Sequence, residues 1–265
     1  MSIKDIEESL AFFAFTMVYK FKTMFAYRFQ ALIWIIWSGF TSFYSLITLT
    51  IIYNVSSGIP GWSYFQILAL SYVMTVALNV IWLIIEPWQI VDDMKVGALD
   101  PRLIRPYGIV TILLSMPDLW PVSIAGVAGG LFILVYSLYH VSFSIVSLLE
   151  FIPLFVGGIA ALILFITMMS LVSYYLFRSA HFVSRMMSVL STAGSYPLSV
   201  YGTILTLLFT VALPIGVASY YPSEVLFGRI STLQYLAAWT IIILVIVGSY
   251  KAINTLMKHY TSGGG

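Results

Sequence analysis

Long apolar runs broken by short polar segments dominate the chain. No charged residue lies between Arg28 and Glu86. A bilayer core is about 30 Å thick, so a spanning helix needs roughly 20 apolar residues. This stretch therefore predicts two spans, at about 31–53 and 64–85. The turn-forming run Asn54-Val-Ser-Ser-Gly58-Ile-Pro-Gly61 separates them. The second ends at Glu86-Pro87, because a residue before proline is biased away from the helical region. The next apolar run, Ile109 to Tyr139, would be about 46 Å long as one helix, too long for an upright span. Pro117-Asp118-Leu-Trp-Pro121 interrupts it. Asp118 is read as an N-cap and Pro121 as a first-turn residue, giving a third span at about 119–138. Further runs predict spans at about 151–174, 200–219 and 236–253. Pro214 should kink the fifth.

Two other segments have helical periodicity without spanning length. In residues 1–30, Ile6, Leu10, Phe13, Met17 and Phe21 recur at three- or four-residue spacing. Acids at the start and lysines at the end suit the helix dipole, and Ser2 with Asp5 forms a weak capping box. This segment reads as an amphipathic helix lying in the membrane interface. Between Phe177 and Leu198, Arg178, His181, Arg185 and Ser188 share one face, and Phe182, Met186, Val189 and Leu190 largely the other. It reads as a second interfacial helix. The predicted fold class is an all-α polytopic membrane protein, with six transmembrane helices plus amphipathic interfacial helices. The transmembrane domain occupies 31–260, and residues 261–265 read as a linker scar.

Composition removes the alternatives. Only 22 of 265 residues are charged, or 8%, while 61% are hydrophobic. An ordinary soluble domain carries about 25% charge, so a soluble enzyme and a disordered chain are both excluded. A net charge of +2 gives no basis for nucleic-acid binding. With no cysteine there is no disulfide and no cysteine-ligated metal. The first 20 residues hold Lys4, Asp5, Glu7 and Glu8, unlike a secretory leader. Eleven of the twelve Lys and Arg fall on one side of the predicted spans, and Arg229 alone on the other. The positive-inside rule then places both termini in the cytoplasm.

Self-contained chemistry is missing. There is no Walker motif and no His-Glu-x-x-His, and the predicted spans hold essentially no ionisable group for an internal proton relay. Energy for transport would have to come from a partner. The place for one is the loop 86–117, whose first 21 residues carry seven of the 22 charges. There Val96, Leu99, Leu103 and Ile104 alternate with charges, as at a partner interface.

Within it, Lys95-Val-Gly97-Ala-Leu99-Asp100-Pro-Arg-Leu103-Ile-Arg105-Pro106 resembles the basic-x-Gly-x-Leu-Asp-x-x-Leu-x-Arg-Pro signature of type-2 ATP-binding-cassette (ABC) permeases, in their branch of short six-span subunits. Tyr27-Arg28, Gly61-Trp62-Ser63, Ser195-Tyr-Pro197-Leu-Ser-Val-Tyr201, and Leu213-Pro214 followed by Tyr220-Tyr221-Pro222 are similar to further family positions in order. The resemblance implies that Asp92 to Pro106 seats in a groove of a cytoplasmic ABC ATPase. Gly97 would allow a tight turn, and Leu99 and Leu103 would fill an apolar pocket. Asp100 and Arg105 would make charged contacts or brace the loop. Lys95 stands where Arg is frequent, so a bidentate contact is lost. Pro214, Tyr221 and Pro222 would form the helix kink and outer turn. The resemblance also implies an exporter in a prokaryotic cell membrane, without its own ATPase site. It would pair with a second permease chain, identical or different. No cofactor is expected in this chain, and ATP with Mg belongs to the partner. A non-transporting scaffold or immunity protein, binding a partner through 86–106, is the competing reading. The substrate-binding residues are unassigned; an uncharged path lined by aromatics and methionines suits lipids, peptides or drugs.

Overall fold

The computed structural model describes residues 3–26, 28–55, 58–115 and 121–262, without the side chains of 3–6, 10, 20 and 23–26. The proposed caps at Ser2 and Asp118, and Tyr27, fall outside the described residues. So do Gly263 to Gly265.

The described chain is helical. Helix α1 (Ile3–Ala26) precedes α2 (Arg28–Val55) and α3 (Tyr64–Ile84). Then come α4 (Pro87–Lys95), the single turn α5 (Asp100–Leu103) and α6 (Ile109–Leu114). Helix α7 (Pro121–Tyr139), α8 (Ile145–Phe177) and α9 (Ala180–Gly194) follow. After a broken region containing α10 (Gly202–Leu207), the chain ends in α11 (Tyr220–Leu226) and α12 (Thr232–Met257). Five of these helical stretches are long and apolar enough to cross a membrane, and a sixth counts if α9 and 198–212 are taken as one bent pair.

Local chemistry sets the helix starts. Ser63 and Gln66 form a reciprocal capping box at the head of α3, and Ser231 and Gln234 do the same for α12. Each satisfies two backbone donors that have no partner within the helix. Ser144 accepts from Ser147 N at the start of α8. That helix has 33 residues, about 50 Å, so it must tilt or project beyond a 30 Å core. It ends at Arg178, whose φ of 46° is left-handed.

Helices α3 and α8 form the centre. Tyr72, Ile81, Leu154 and Leu162 are almost wholly buried there. Helix α7 lies along α3, and α12 lies along α8. By contrast, α2 leans on α7 and touches α3 little. Only Ser38 and Leu49 of α2 are buried, and its remaining faces are apolar and open. In a membrane such a surface meets lipid or another apolar helix.

Two segments depart from the sequence-based expectation. The stretch 200–219 is not one kinked helix. A 3₁₀ turn (Leu198–Tyr201), α10 and a π-helical turn (Leu208–Ala212) follow one another, and the chain then turns through 213–219 into α11. Pro197 and Pro214 bracket the excursion, and Gly202 takes a φ of 72°. No continuous helical hydrogen-bond ladder passes such residues. The Leu198–Ala212 piece meets α9 at 106°. It exposes Ile204, Leu207 and Val211, while Pro214 and the turn after it are buried.

Helix α9, expected to lie in the interface, is instead packed inward. His181, Arg185 and Ser188 are exposed as the pattern indicated. Val183, Met186, Met187 and Leu190 are buried against α4 and α8. At its far end Ser71 of α3 donates to the Ser195 carbonyl at 2.6 Å. Ser71 is seven residues inside α3, about 10 Å from its start. The mixed face made α9 look interfacial; its apolar side is long enough to enter the bundle.

Candidate coupling site

The loop after α3 folds against its own protein first. Pro87 occupies the first turn of α4, where its missing N–H is harmless. Pro87, Ile90, Val91 and Met94 face the core beside α8 and α9. Gly97 then adopts a φ of 71°, as a tight left-handed turn requires. Ala98 N donates to Asp93 O at 2.9 Å, and Asp100 N to Gly97 O at 3.1 Å. These bonds turn the chain into α5.

The loop's charges divide by role. Lys95 Nζ meets Asp92 Oδ1 at 2.9 Å within α4. Such an exposed pair contributes about 0–1 kcal/mol. Arg102 Nη1 meets Asp93 Oδ2 at 3.0 Å and ties α5 to α4. Asp100 and Arg105 do not pair with each other. Asp100 Oδ1 accepts a 2.8 Å hydrogen bond from the hydroxyl of Tyr260, which lies three residues beyond α12. The same hydroxyl lies 3.4 Å from Met94 O. Burial first, and the Asp100 carboxylate second, raise the pKa of Tyr260 above its ordinary value, so the phenol remains a donor. Arg105 sits over the Phe12 ring at 5.5 Å, and Phe12 stacks on Tyr107 at 4.3 Å. The loop is thus braced by the end of α12 on one side and by α1 on the other.

Apolar positions separate just as clearly. Leu99 is fully buried and Leu103 packs on the core. Leu99 is thus covered by its own protein, and Leu103 partly so. The open positions are Val96, 69% exposed, and Ile104, 86% exposed. Pro101, Arg105 and Pro106 are exposed beside them. The result is a small apolar tip with a cationic edge, held out on a buried base.

The second group of candidates lies elsewhere. Pro214 is buried in the turn after 198–212. Tyr221 N donates to Gly216 O at 2.9 Å, and Pro222 sits in the first turn of α11. Tyr220 of that helix approaches Trp62 at 6.1 Å, near the head of α3. Arg229 lies over Trp62 at 4.9 Å and donates to Gln66. The charged loop begins where α3 ends, about 30 Å away. Tyr221 and Pro222 therefore lie at the opposite end from the Lys95–Pro106 group, with Pro214 in the turn that leads to them.

No metal cluster competes with this picture among the described residues. Residues 40–264 match the family described as ABC-2 family transporter protein. The chain belongs to the ABC-2 transporter family. No curated protein and no solved structure matches it. An ABC-2 permease is a transmembrane transport subunit, normally without ATPase activity, and the family generally works with ABC ATPase subunits. In this ABC-2 chain the residues missed by sequence reasoning are Tyr260, Phe12 and Tyr107. Tyr260 is 160 residues from Asp100, and no local pattern links them. Phe12 lies in the anticipated helix, but its partner could not be read from periodicity.

Proposed function

We propose that this chain is the membrane subunit of an ATP-driven exporter in a prokaryotic cell membrane, with both termini in the cytoplasm. The loop Lys95–Pro106 enters a groove of a cytoplasmic ABC ATPase that holds ATP and Mg. Val96 and Ile104 make the apolar contact, and Arg105 and Pro106 form its edge. A second permease chain completes the pathway, and the two chains alternate access. ATP-driven movement of the ATPase pushes on the tip. The Asp100–Tyr260 bond passes that displacement to α12, and the Arg105–Phe12–Tyr107 stack passes it to α1. The observation that carries this reading is the tip itself: exposed Val96 and Ile104 beside the fully buried Met94 and Leu99.

The reading separates docking from transmission. Asp100→Ala and Tyr260→Phe remove the same brace and leave the tip in place. In proteoliposomes containing a co-expressed ABC ATPase, both variants should keep the complex and lose substrate-stimulated ATP hydrolysis. Arg105→Ala should lower stimulation too. Unchanged stimulation in all three would remove the transmission role of the braces.

A further inference from the structure

Four of the seven tryptophans in the chain converge on one cavity. Trp34 and Trp37 come from α2, Trp82 from the end of α3 and Trp88 from α4. Glu86 is the single charged residue among the described lining. It is only 7% exposed, and its carboxylate does not cap α4. A ring of interfacial tryptophans facing outward is the ordinary arrangement at a membrane surface. Here Trp34, Trp82 and Trp88 are half-buried and share a cavity that Glu86 also lines. Only Trp37, at 57% exposed, faces outward.

The chemistry of that lining is selective. Indole faces carry negative potential and attract a cation, tryptophan most strongly. A quaternary ammonium is held without shedding a tight hydration shell, and Glu86 beside it complements its charge. The indole N–H of Trp82 is buried without a hydrogen-bond partner. The cavity measures about 220 Å³. Sites for drug-sized ligands run from about 300 to 1,000 Å³, so this one takes a head group. A neighbouring cavity of about 340 Å³ shares Trp37, Trp82 and Val122 with it. Ser42, Thr75 and Asn79 contribute to its walls. A third, apolar space of about 390 Å³ shares Ser38 and Ser42 with the second. The first two lie where α2 stands off from α3, and the third lies between α2 and α7.

We propose that Trp34, Trp37, Trp82 and Trp88, with Glu86, bind the cationic head of an organic ammonium compound, whose body lies in the adjoining cavity. The assignment of this compound as transported substrate rests on the transport reading above. Glu86 and Trp88 begin α4, the helix that ends at Lys95. An occupied cage therefore touches the base of the coupling loop, which gives substrate a direct route to the ATPase contact.

The probe is benzoylcholine, against its neutral carbon isostere 3,3-dimethylbutyl benzoate. Binding to the full chain in phosphatidylglycerol nanodiscs is measured by titration calorimetry, with empty discs subtracted. Benzoylcholine should bind saturably, and the isostere about tenfold more weakly or worse. Glu86→Gln and Trp37→Leu should each weaken benzoylcholine about tenfold with thermal unfolding unchanged. Trp37 is the safer variant, since over half of it is already exposed. Adding phosphatidylcholine distinguishes the sources of this chemistry. Competition identifies a lipid head group as the occupant, and its absence identifies a free solute; both are ammonium ligands of the cage. Equal affinity for cation and isostere, or unchanged affinity in both variants, overturns the proposal. No ATPase is present in this assay, so its failure leaves the docking role of Lys95–Pro106 standing.

Discussion

Leu99 is fully buried while Ile104, five positions on, is 86% exposed. The sequence pattern places both as apolar residues among charges. It does not tell which one belongs to this protein's core and which to a partner. The difference arises from the turn at Gly97, which folds Leu99 back under α4 and sends Ile104 outward. Leu99→Ala should consequently destabilise the permease alone. Truncating a buried leucine costs about 2–5 kcal/mol, so chemical or thermal unfolding of the isolated chain should shift markedly. Gly97 itself was readable, because glycine enters a left-handed turn without strain. The Tyr260–Asp100 bond was not, since its two ends lie 160 residues apart and nothing local at Tyr260 marks it.

At the scale of elements, continuous apolar runs with plain ends were easy to read. The expected spans at 31–53, 64–85 and 236–253 lie within, or to within one residue of, α2, α3 and α12. The expected 151–174 lies inside the longer α8. Hydropathy carried no information about backbone continuity in 198–219. That stretch is apolar enough for a span, yet Pro197, Gly202 and Pro214 divide it. Packing then holds the broken form. A side chain at Gly158 of α8 would run into the backbone carbonyl of Val217, which has no rotamer by which to move aside. Gly158→Ala should cost about 1–3 kcal/mol by overpacking, and a lower unfolding temperature would register it. Gly39, with open space around it, is the control and should tolerate alanine with little change.

For the whole molecule, the placement of charge organises the account. The bundle's interior is nearly neutral, and the charged loop sits at one end, anchored to α1 and to the end of α12. Both termini should then share a side with that loop. The chain has no native cysteine, so single cysteines report topology cleanly. In intact cells, a membrane-impermeant maleimide should label Pro60→Cys and spare Glu8→Cys and Lys258→Cys; the reverse pattern would invert the orientation. The central claim, that the tip docks an ABC ATPase, is tested most directly by co-purification of a co-expressed ATPase with full-length permease carrying Ile104→Asp. Ile104 supports nothing inside its own protein, so the account predicts loss of the ATPase from the purified complex with permease unfolding unchanged. An ATPase retained at wild-type stoichiometry would contradict it.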